Sequence, residues 1–449
     1  MKRLFLSSLS INVLVIVINL VTGIISARYL GPEGRGELAT ATRWSMLLTM
    51  LFTLGLPGAV IFLGKKNPDR QRELFGVYLV LGVSMGLIAL VAGETLLPVL
   101  LSGHEEHVVR FAQISMLAVP FGLLADGLIG TLQTLNMFRR VLLLRILNPV
   151  GVLLVITGLL IFDLYTVRNF IIGSLAWSFL LFLMTFTWVY TSVRPKVTRV
   201  WQTGKELFNK GIQIYSVGLV SAFGGNLDQL IISLFLTTYM LGLYTVSSSI
   251  ASMLPSIITG ALGTFLFPKL MDLALNHRQK QVERMHGTLF YATLVMAAAA
   301  ACVIPFAIPL VYGADFKESV LMGQVLLICT PINIAYSVLT NFVSTEGKFH
   351  YVSLSEILGL ASGVGMTLLL VQPLQGVGAA LGVVTMALVK WSFMLVKCKG
   401  MGLTVSRLFY VYPESFLALY RTVLQGGGRF KRKSGSGAVS VAGETEGKV

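Results

Sequence analysis

Hydrophobic residues in this chain are grouped into about twelve long segments, separated by short connections that carry most of its charged residues. A transmembrane helix needs about 20 mainly apolar residues, and each segment reaches that length. The pattern therefore predicts an all-α integral membrane protein with about twelve spans. The predicted spans are 8–29, 37–64, 75–102, 108–135, 141–162, 168–192, 210–236, 240–269, 287–312, 319–345, 350–371 and 375–396.

Basic residues alternate along this pattern. The connections after even-numbered spans contain many Lys and Arg, and those after odd-numbered spans contain few. Basic connections stay on the cytoplasmic side during membrane insertion, so the alternation predicts that both termini are cytoplasmic. The basic residues assigned to exterior connections and their margins are Arg28, Arg35, Arg43, Arg110, Arg168 and Lys317.

The composition agrees with this class. Hydrophobic residues make up 55% of the 449 residues and charged residues 12%, about half the charged share of a globular domain. Twelve spans use up the chain, so no stretch remains for a soluble catalytic domain. The net charge of +15 would suggest nucleic acid in a soluble protein. Here cytoplasmic connections account for it, so membrane lipids and no nucleic acid are the expected partners.

Motifs for catalysis and for metal binding are missing from the sequence. It contains no Gly-rich phosphate loop, which nucleotide-binding enzymes need. Three cysteines are widely spaced, and His104 and His107 lie in one exterior connection that reads as solvated surface. The sequence therefore predicts a protein that is not an enzyme and has no cofactor, apart from a coupling H⁺ or Na⁺.

The two halves of the chain repeat each other. Similar residues recur in order at offsets of 206 to 211 residues, at equivalent connections and spans. Six spans per half is an even number, so both halves have the same orientation, and the repeat is parallel. This predicts two six-helix bundles, at 1–193 and 210–396, joined by a cytoplasmic linker at 194–209. The matching pairs are Leu30 and Leu236, Gly36 and Gly242, Gly103 and Gly313, Pro120 and Pro331, and Phe138 and Phe349.

The chain after the last predicted span differs from the rest. Residues 397–425 are apolar but contain Arg407, Pro413, Glu414 and Arg421, which favours an amphipathic segment on the membrane surface. Residues 426–449 are rich in Gly and Ser and carry a basic cluster. This composition predicts a disordered basic tail.

Three short motifs resemble one family of membrane proteins. The segment ARYLGPEGRG at 27–36 resembles the join between the first two helices of bacterial polysaccharide-transport proteins. Asp228-Gln229-Leu230 followed by Leu241-Gly242-Leu243-Tyr244 resembles the region around their seventh helix, and residues 310–316, LVYGADF, the end of their ninth. The similarity extends over residues 5–396. These are the Wzx-like O-antigen and exopolysaccharide flippases of the multidrug/oligosaccharidyl-lipid/polysaccharide (MOP) exporter superfamily.

This resemblance implies a fold and a substrate class. The implied fold is a V-shaped pair of bundles, in which the substrate path lies between the halves. The implied substrate is an undecaprenyl-pyrophosphate-linked oligosaccharide, flipped from the inner to the outer leaflet of the bacterial cytoplasmic membrane by alternating access. It would serve the synthesis of O-antigen, capsule or exopolysaccharide. A polysaccharide polymerase and glycosyltransferases are the implied protein partners.

Charged residues inside the spans are the first candidates for a substrate site. A pyrophosphate can cross about 30 Å of hydrocarbon only through a polar cavity that supplies cations. The substrate-binding candidates are Arg28, Arg43, Arg145, Lys390 and Asn19. Each has a structural alternative, because the cations could extend to the nearer membrane surface and Asn19 could hydrogen-bond a neighbouring helix.

Asp126 and Asp228 are the deepest acidic residues and therefore the candidates for ion coupling. The alternative for each is a structural ion pair or a hydrogen bond between helices. Pro120 and Pro331 occupy equivalent positions in the two halves. Because proline removes one backbone hydrogen bond and allows bending, both are gating candidates, with a simple packing kink as the alternative.

Other functions remain open at this stage. A multidrug exporter of the MATE type, or another small-molecule exporter, would have the same spans. A membrane polymerase or ligase usually has a large exterior loop, whereas every exterior connection here is short. A scaffold without transport activity would also keep the span pattern.

Overall fold

The computed structural model describes residues 2–224, 227–271 and 275–412, with side chains outside 2–10, 216–224, 260–269, 271 and 275–276. Within these ranges the chain is helical and contains no strand. The α-helices are α1 (Lys2–Thr53), α2 (Leu56–Lys66), α3 (Gln71–Leu100), α4 (Glu106–Met116), α5 (Ala118–Thr134), α6 (Phe138–Ile161), α7 (Val167–Val193), α8 (Val200–Gly224), α9 (Leu227–Phe235), α10 (Thr238–Met271), α11 (Leu275–Tyr312), α12 (Ser319–Leu327), α13 (Cys329–Thr345), α14 (Phe349–Lys399) and α15 (Val405–Leu408).

The predicted apolar spans coincide with these helices. Nine helical runs in the described ranges are long and apolar enough to cross a membrane, and they overlap eleven of the predicted spans. The remaining span, 210–236, corresponds to α8 and α9. Two runs contain two spans each, because the chain turns at single residues, at Gly31 in α1 (φ 67°, ψ −178°) and at Gln375 in α14 (φ 48°, ψ −128°).

At the predicted exterior end, the two halves cross through a symmetric backbone contact. A methyl group on Gly36 would overlap the carbonyl oxygen of Thr238, and one on Gly242 would overlap the carbonyl oxygen of Pro32. Both pairs are related by the 206-residue offset of the repeat. Glycine has no Cβ, which allows the backbones of α1 and α10 to approach this closely. We call this four-residue contact the glycine crossing.

At the opposite end, α2 of the first half contacts α8 of the second. A methyl group on Gly55 would overlap the carbonyl oxygen of Gly211. The hydroxyl group of Tyr215 donates a hydrogen bond to the carbonyl oxygen of Met50 at 2.8 Å. The halves therefore touch at both ends, and α8 forms the contact at the end that carries the basic connections.

The connection between the halves is shorter than predicted, because α8 already begins at Val200. Residues 200–209 of the predicted linker therefore belong to a helix. Arg70 forms an ion pair with Glu206 at 3.0 Å, and the hydroxyl group of Thr203 donates a hydrogen bond to Glu73. These contacts attach the first turns of α8 to α3 and to the turn that precedes it.

The segment after α14 lies against α11. The side-chain amide of Gln279 donates a hydrogen bond to the carbonyl oxygen of Met401, and Glu283 accepts one from the backbone N–H of Thr404. This part of the predicted amphipathic segment 397–425 contains the end of α14 and the short helix α15. Residues 413–425 and the predicted tail 426–449 lie outside the described residues.

Candidate substrate cavity

A cavity of about 930 Å³ lies inside the first six-helix half, and we call it the polar cavity because charged and amide side chains interrupt its mainly apolar wall. Helices α1, α5, α6 and α7 form its wall, and Tyr215 of α8 closes one side. Three candidates that are far apart in the sequence line it together: Asn19, Asp126 and Arg145. On α6 the lining residues, from Val141 to Val152, lie in the half of the helix next to the basic connection that precedes it, on the predicted cytoplasmic side.

Helix periodicity explains why polar groups meet in this cavity. On α6, the lining residues Arg145, Asn148, Pro149 and Val152 follow the spacing of one helix face. The side chains of Asp126, Arg145 and Asn148 are exposed, and a charge in a membrane-embedded helix faces either water or a partner. A cavity lined by one cation, one carboxylate and several amides can bind a polar, anionic ligand.

Arg43 and Asp228 meet between the two halves. The carboxylate of Asp228 on α9 accepts a hydrogen bond from the hydroxyl group of Tyr244 on α10 at 2.6 Å. Arg43 on α1 lies close enough to Asp228 to interact with it electrostatically. A cation candidate and a coupling candidate are thus partners, one from each half of the protein.

Arg35 is a site residue that sequence reasoning missed. It was assigned to an exterior connection, but α1 continues through it, since the chain turns within the single residue Gly31. One Arg35 nitrogen donates to the hydroxyl oxygen of Ser26 at 3.4 Å, and among the described residues its buried Nε atom has no hydrogen-bond partner. Arg43 interacts with Asp228 of the second half, and Arg35 lies eight residues before it on the same helix. The short connection and this spacing were the signal available in the sequence.

Arg28 binds the end of a helix in the other half. Its guanidinium donates to the carbonyl oxygens of Val311, at 2.6 Å, and Leu310 in the last turn of α11. Carbonyl groups in a last helical turn lack helical partners and favour a nearby cation. Arg28 therefore connects the halves at the exterior end and does not line the cavity.

Lys390 lies apart from the other candidates, inside the second half. Its ammonium group forms an ion pair with Glu356 at 2.6 Å, and both side chains are largely buried. The hydroxyl group of Tyr336 also donates to Glu356, at 2.9 Å. The structure thus places Lys390 in a buried polar group between α13 and α14, away from the residues that line the cavity.

The two candidate prolines produce equivalent breaks. In the first half the span divides into α4 and α5 at Leu117, and in the second into α12 and α13 at Ile328. Each break precedes its proline, Pro120 or Pro331, by three residues, and both pairs are 211 residues apart. Proline cannot donate the helical hydrogen bond to residue i−4, so each helix is weakened at this point. The repeat seen in the sequence is also a repeat of helix geometry.

Comparisons with known proteins show the family and the fold of this chain. A family model described as "Polysaccharide biosynthesis protein" matches residues 25–321. No curated protein sequence matches the chain. Among solved structures, a lipid II flippase MurJ in an inward closed conformation has a TM-score of 0.77 at 14% identity, with 94% of this chain and 93% of that one covered.

Two further solved structures come from transporters of the MOP superfamily. An inward-facing multidrug resistance MATE family transporter has a TM-score of 0.60 at 15% identity, with 87% of this chain and 94% of that one covered. A transporter from Pyrococcus furiosus has a TM-score of 0.51 at 15% identity, with 92% and 96% covered. At such identities the similarity shows the fold, and it confirms the predicted all-helical membrane architecture.

Proposed function

We propose that this chain, which belongs to the polysaccharide biosynthesis protein family, flips an undecaprenyl-pyrophosphate-linked oligosaccharide. The lipid-linked sugar would pass from the inner to the outer leaflet of the bacterial cytoplasmic membrane by alternating access. Its product would serve O-antigen, capsule or exopolysaccharide synthesis, alongside a polysaccharide polymerase and glycosyltransferases.

The polar cavity is the observation that carries this proposal. It contains Arg145 near the predicted cytoplasmic side, and the two halves meet at the glycine crossing at the predicted exterior end. A charge at the bilayer centre costs about 2.5–3.5 kcal/mol or more, so a pyrophosphate needs such a cation at every stage of its path. The prenyl chain can stay in the membrane, outside the cavity.

Three arginines mark a path for the anion. Arg145 lines the cavity, and Arg43 and Arg35 follow towards the exterior end. Asn19 and Asn148 provide amide groups for sugar hydroxyls. The arginines would bind the pyrophosphate in turn as the halves move, whereas Arg28 would stabilise the closed exterior end.

The two aspartates are the proposed coupling groups. Asp126 lines the cavity, and Asp228 faces Arg43. When a pyrophosphate binds Arg43, the carboxylate of Asp228 loses its cation, and binding of H⁺ or Na⁺ would then be favoured. Anion binding and ion binding would thus be linked through one residue pair.

Arg145→Gln tests the proposal most directly. Flipping of a lipid-linked oligosaccharide into the outer leaflet of vesicles would be measured with the purified, reconstituted protein. We expect the rate to fall about 10- to 100-fold, because a hydrogen bond to a charged group contributes about 1.5–3 kcal/mol.

Arg139→Gln is the matched control. Arg139 lies on the same helix and is exposed, but it does not line the cavity, so this change should leave flipping unaltered. Equal rates for both variants and the unmodified protein would reject the assigned role of Arg145.

A second candidate function is export of lipophilic cations. Asp126 shares the cavity with Phe121 and Phe182, and an acidic, aromatic site suits such compounds. Efflux of a cationic dye from vesicles, abolished by Asp126→Asn and unaffected by lipid-linked oligosaccharide, would favour this alternative.

A further inference from the structure

A second cavity, of about 630 Å³, opens at the end of the protein that carries the basic connections. It lies where α2 of the first half meets α8 of the second. Its wall includes Phe62 and Ile61 from α2 and Ile214 from α8. The side chains of Phe62 and Ile214 are 47% and 38% exposed, so this wall is apolar and accessible. We call it the α2–α8 cleft.

Three lysines surround the α2–α8 cleft, and they come from both halves. Lys65 and Lys66 end α2, and Lys210 lies on α8. The ammonium group of Lys210 lies 4.4 Å from the centre of the Phe62 ring, and that of Lys65 lies 5.9 Å from the Phe138 ring. In the described part of the chain, none of the three forms an ion pair with a carboxylate.

Among the described residues, no carboxylate neutralises these three lysines. Two cations on one half face a cation on the other, and like charges oppose the contact between α2 and α8. Lys210 has the neutral side chain of Gln213 as its hydrogen-bond acceptor, at 3.1 Å. An anion seated in the cleft would contact both halves at once and remove the repulsion.

We infer that the α2–α8 cleft binds an anionic phospholipid of the adjacent leaflet. Its phosphate bridges Lys65 and Lys66 of one half to Lys210 of the other, and an acyl chain lies against Phe62 and Ile214. The ligand is a lipid, because the cations border an exposed apolar wall, and basic pockets between membrane helices suit such headgroups. Bound lipid favours the arrangement in which α2 and α8 touch. This site is separate from the polar cavity of Arg145.

Lipid binding can be measured on the full chain without any transport assay. Purified protein in neutral detergent is titrated with cardiolipin that carries a fluorescent acyl chain, and anisotropy reports binding. The test variant is Lys65→Gln/Lys66→Gln/Lys210→Gln. Since a lysine near anionic lipid contributes about fivefold in affinity, we expect a loss of roughly a hundredfold. The control variant is Lys348→Gln/Lys397→Gln/Lys399→Gln, which removes the same charge at the same end, outside the cleft.

The apolar wall is tested separately with Phe62→Ala. This variant should weaken cardiolipin binding about tenfold, because the acyl chain loses its aromatic contact. Binding of inorganic pyrophosphate, used as a competitor, should be much weaker than that of cardiolipin, and phosphatidylcholine should not compete.

Three results would overturn the inference. Equal affinities of the two triple variants would show that the cleft is not the site. Pyrophosphate that competes as well as unlabelled cardiolipin, with no effect of Phe62→Ala, would indicate a site for a free anion only. Inhibition of flipping by cardiolipin that excess substrate relieves would assign the cleft to the transported lipid.

Discussion

Asp228 is the residue at which the charges of both halves meet. It accepts a hydrogen bond from Tyr244 of its own half and faces Arg43 of the other. If a ligand binds Arg43, the carboxylate of Asp228 loses its cationic partner and keeps only the hydrogen bond from Tyr244. In the proposed function, its charge would link the relative position of the halves to the occupancy of Arg43.

Asp228→Asn is expected to uncouple transport from the ion gradient. The amide keeps the size of the side chain but cannot hold the charge or exchange a proton. Flipping in vesicles would be measured with and without an imposed H⁺ or Na⁺ gradient, and the variant should show the same rate in both. Asp126→Asn serves for comparison, since Asp126 lies in the cavity and not opposite Arg43. Unchanged gradient dependence in Asp228→Asn would exclude it as the coupling residue.

The sequence showed which polar residues lie inside spans, but it did not show which of them contact each other. Asn19, Asp126 and Arg145 were predicted as polar groups inside spans, and the structure brings them together in one cavity. Lys390 was predicted on the same grounds, yet a glutamate that is distant in the sequence pairs with it. Arg35 was missed because a turn at one residue leaves no loop. Partners depend on which helices become neighbours, and span patterns do not contain that information.

At the scale of helices, close approach of α1 and α10 depends on glycine. Backbone atoms of each helix occupy the space where a Cβ of the other would lie. Side chains could rearrange to admit a methyl group, but a carbonyl in a helix cannot move without shifting the helix. Adding a single methyl group to Gly36 or Gly242 would therefore disturb the glycine crossing.

Gly36→Ala is expected to destabilise the protein by about 1–3 kcal/mol, the usual cost of overpacking. The thermal unfolding midpoint of the purified protein would fall, and thiol reagents would gain access from the exterior side. Gly23→Ala on the same helix is the control. A methyl group there would meet only the end of Arg35, at 3.9 Å, and alanine favours helix. If both variants unfold at the same temperature, the crossing is looser than described.

Helix positions were the most predictable part of the fold. Hydrophobic length sets each span, so the predicted segments and the observed helices overlap. The breaks at Leu117 and Ile328 follow from prolines that the sequence displays. The turn at Gln375, by contrast, places a residue with a side chain at φ 48°, where glycine is the usual choice. The boundary between the predicted spans 350–371 and 375–396 located this turn, but local preference did not identify Gln375 as the residue that makes it.

For the whole molecule, the alternating access that we propose would require α2 and α8 to separate during each cycle. The Cβ position of residue 58 lies 3.8 Å from the Cβ of Ile214, which matches the spacing in disulfides. Gly58→Cys/Ile214→Cys, with Cys302, Cys329 and Cys398 replaced, should therefore cross-link when oxidised. We expect oxidation to stop flipping in vesicles and a reductant to restore it.

Gly58→Cys alone is the control for this cross-link, and oxidation should leave its transport rate unchanged. Full cross-linking without loss of flipping would show that α2 and α8 stay together throughout the cycle. The halves would then have to move about another contact.

The α2–α8 contact and the glycine crossing differ in how they respond to the salt concentration and pH of the surrounding solution. The α2–α8 end contains lysines and the Arg70–Glu206 ion pair, and salt weakens such interactions. The glycine crossing consists of Pro32, Gly36, Thr238 and Gly242, none of which carries an ionisable side chain. A cell regulates the salt concentration and pH of its interior, whereas both vary outside it. The crossing itself can therefore hold in dilute, saline or acidic surroundings alike, whereas the Arg70–Glu206 ion pair at the other end weakens as salt rises.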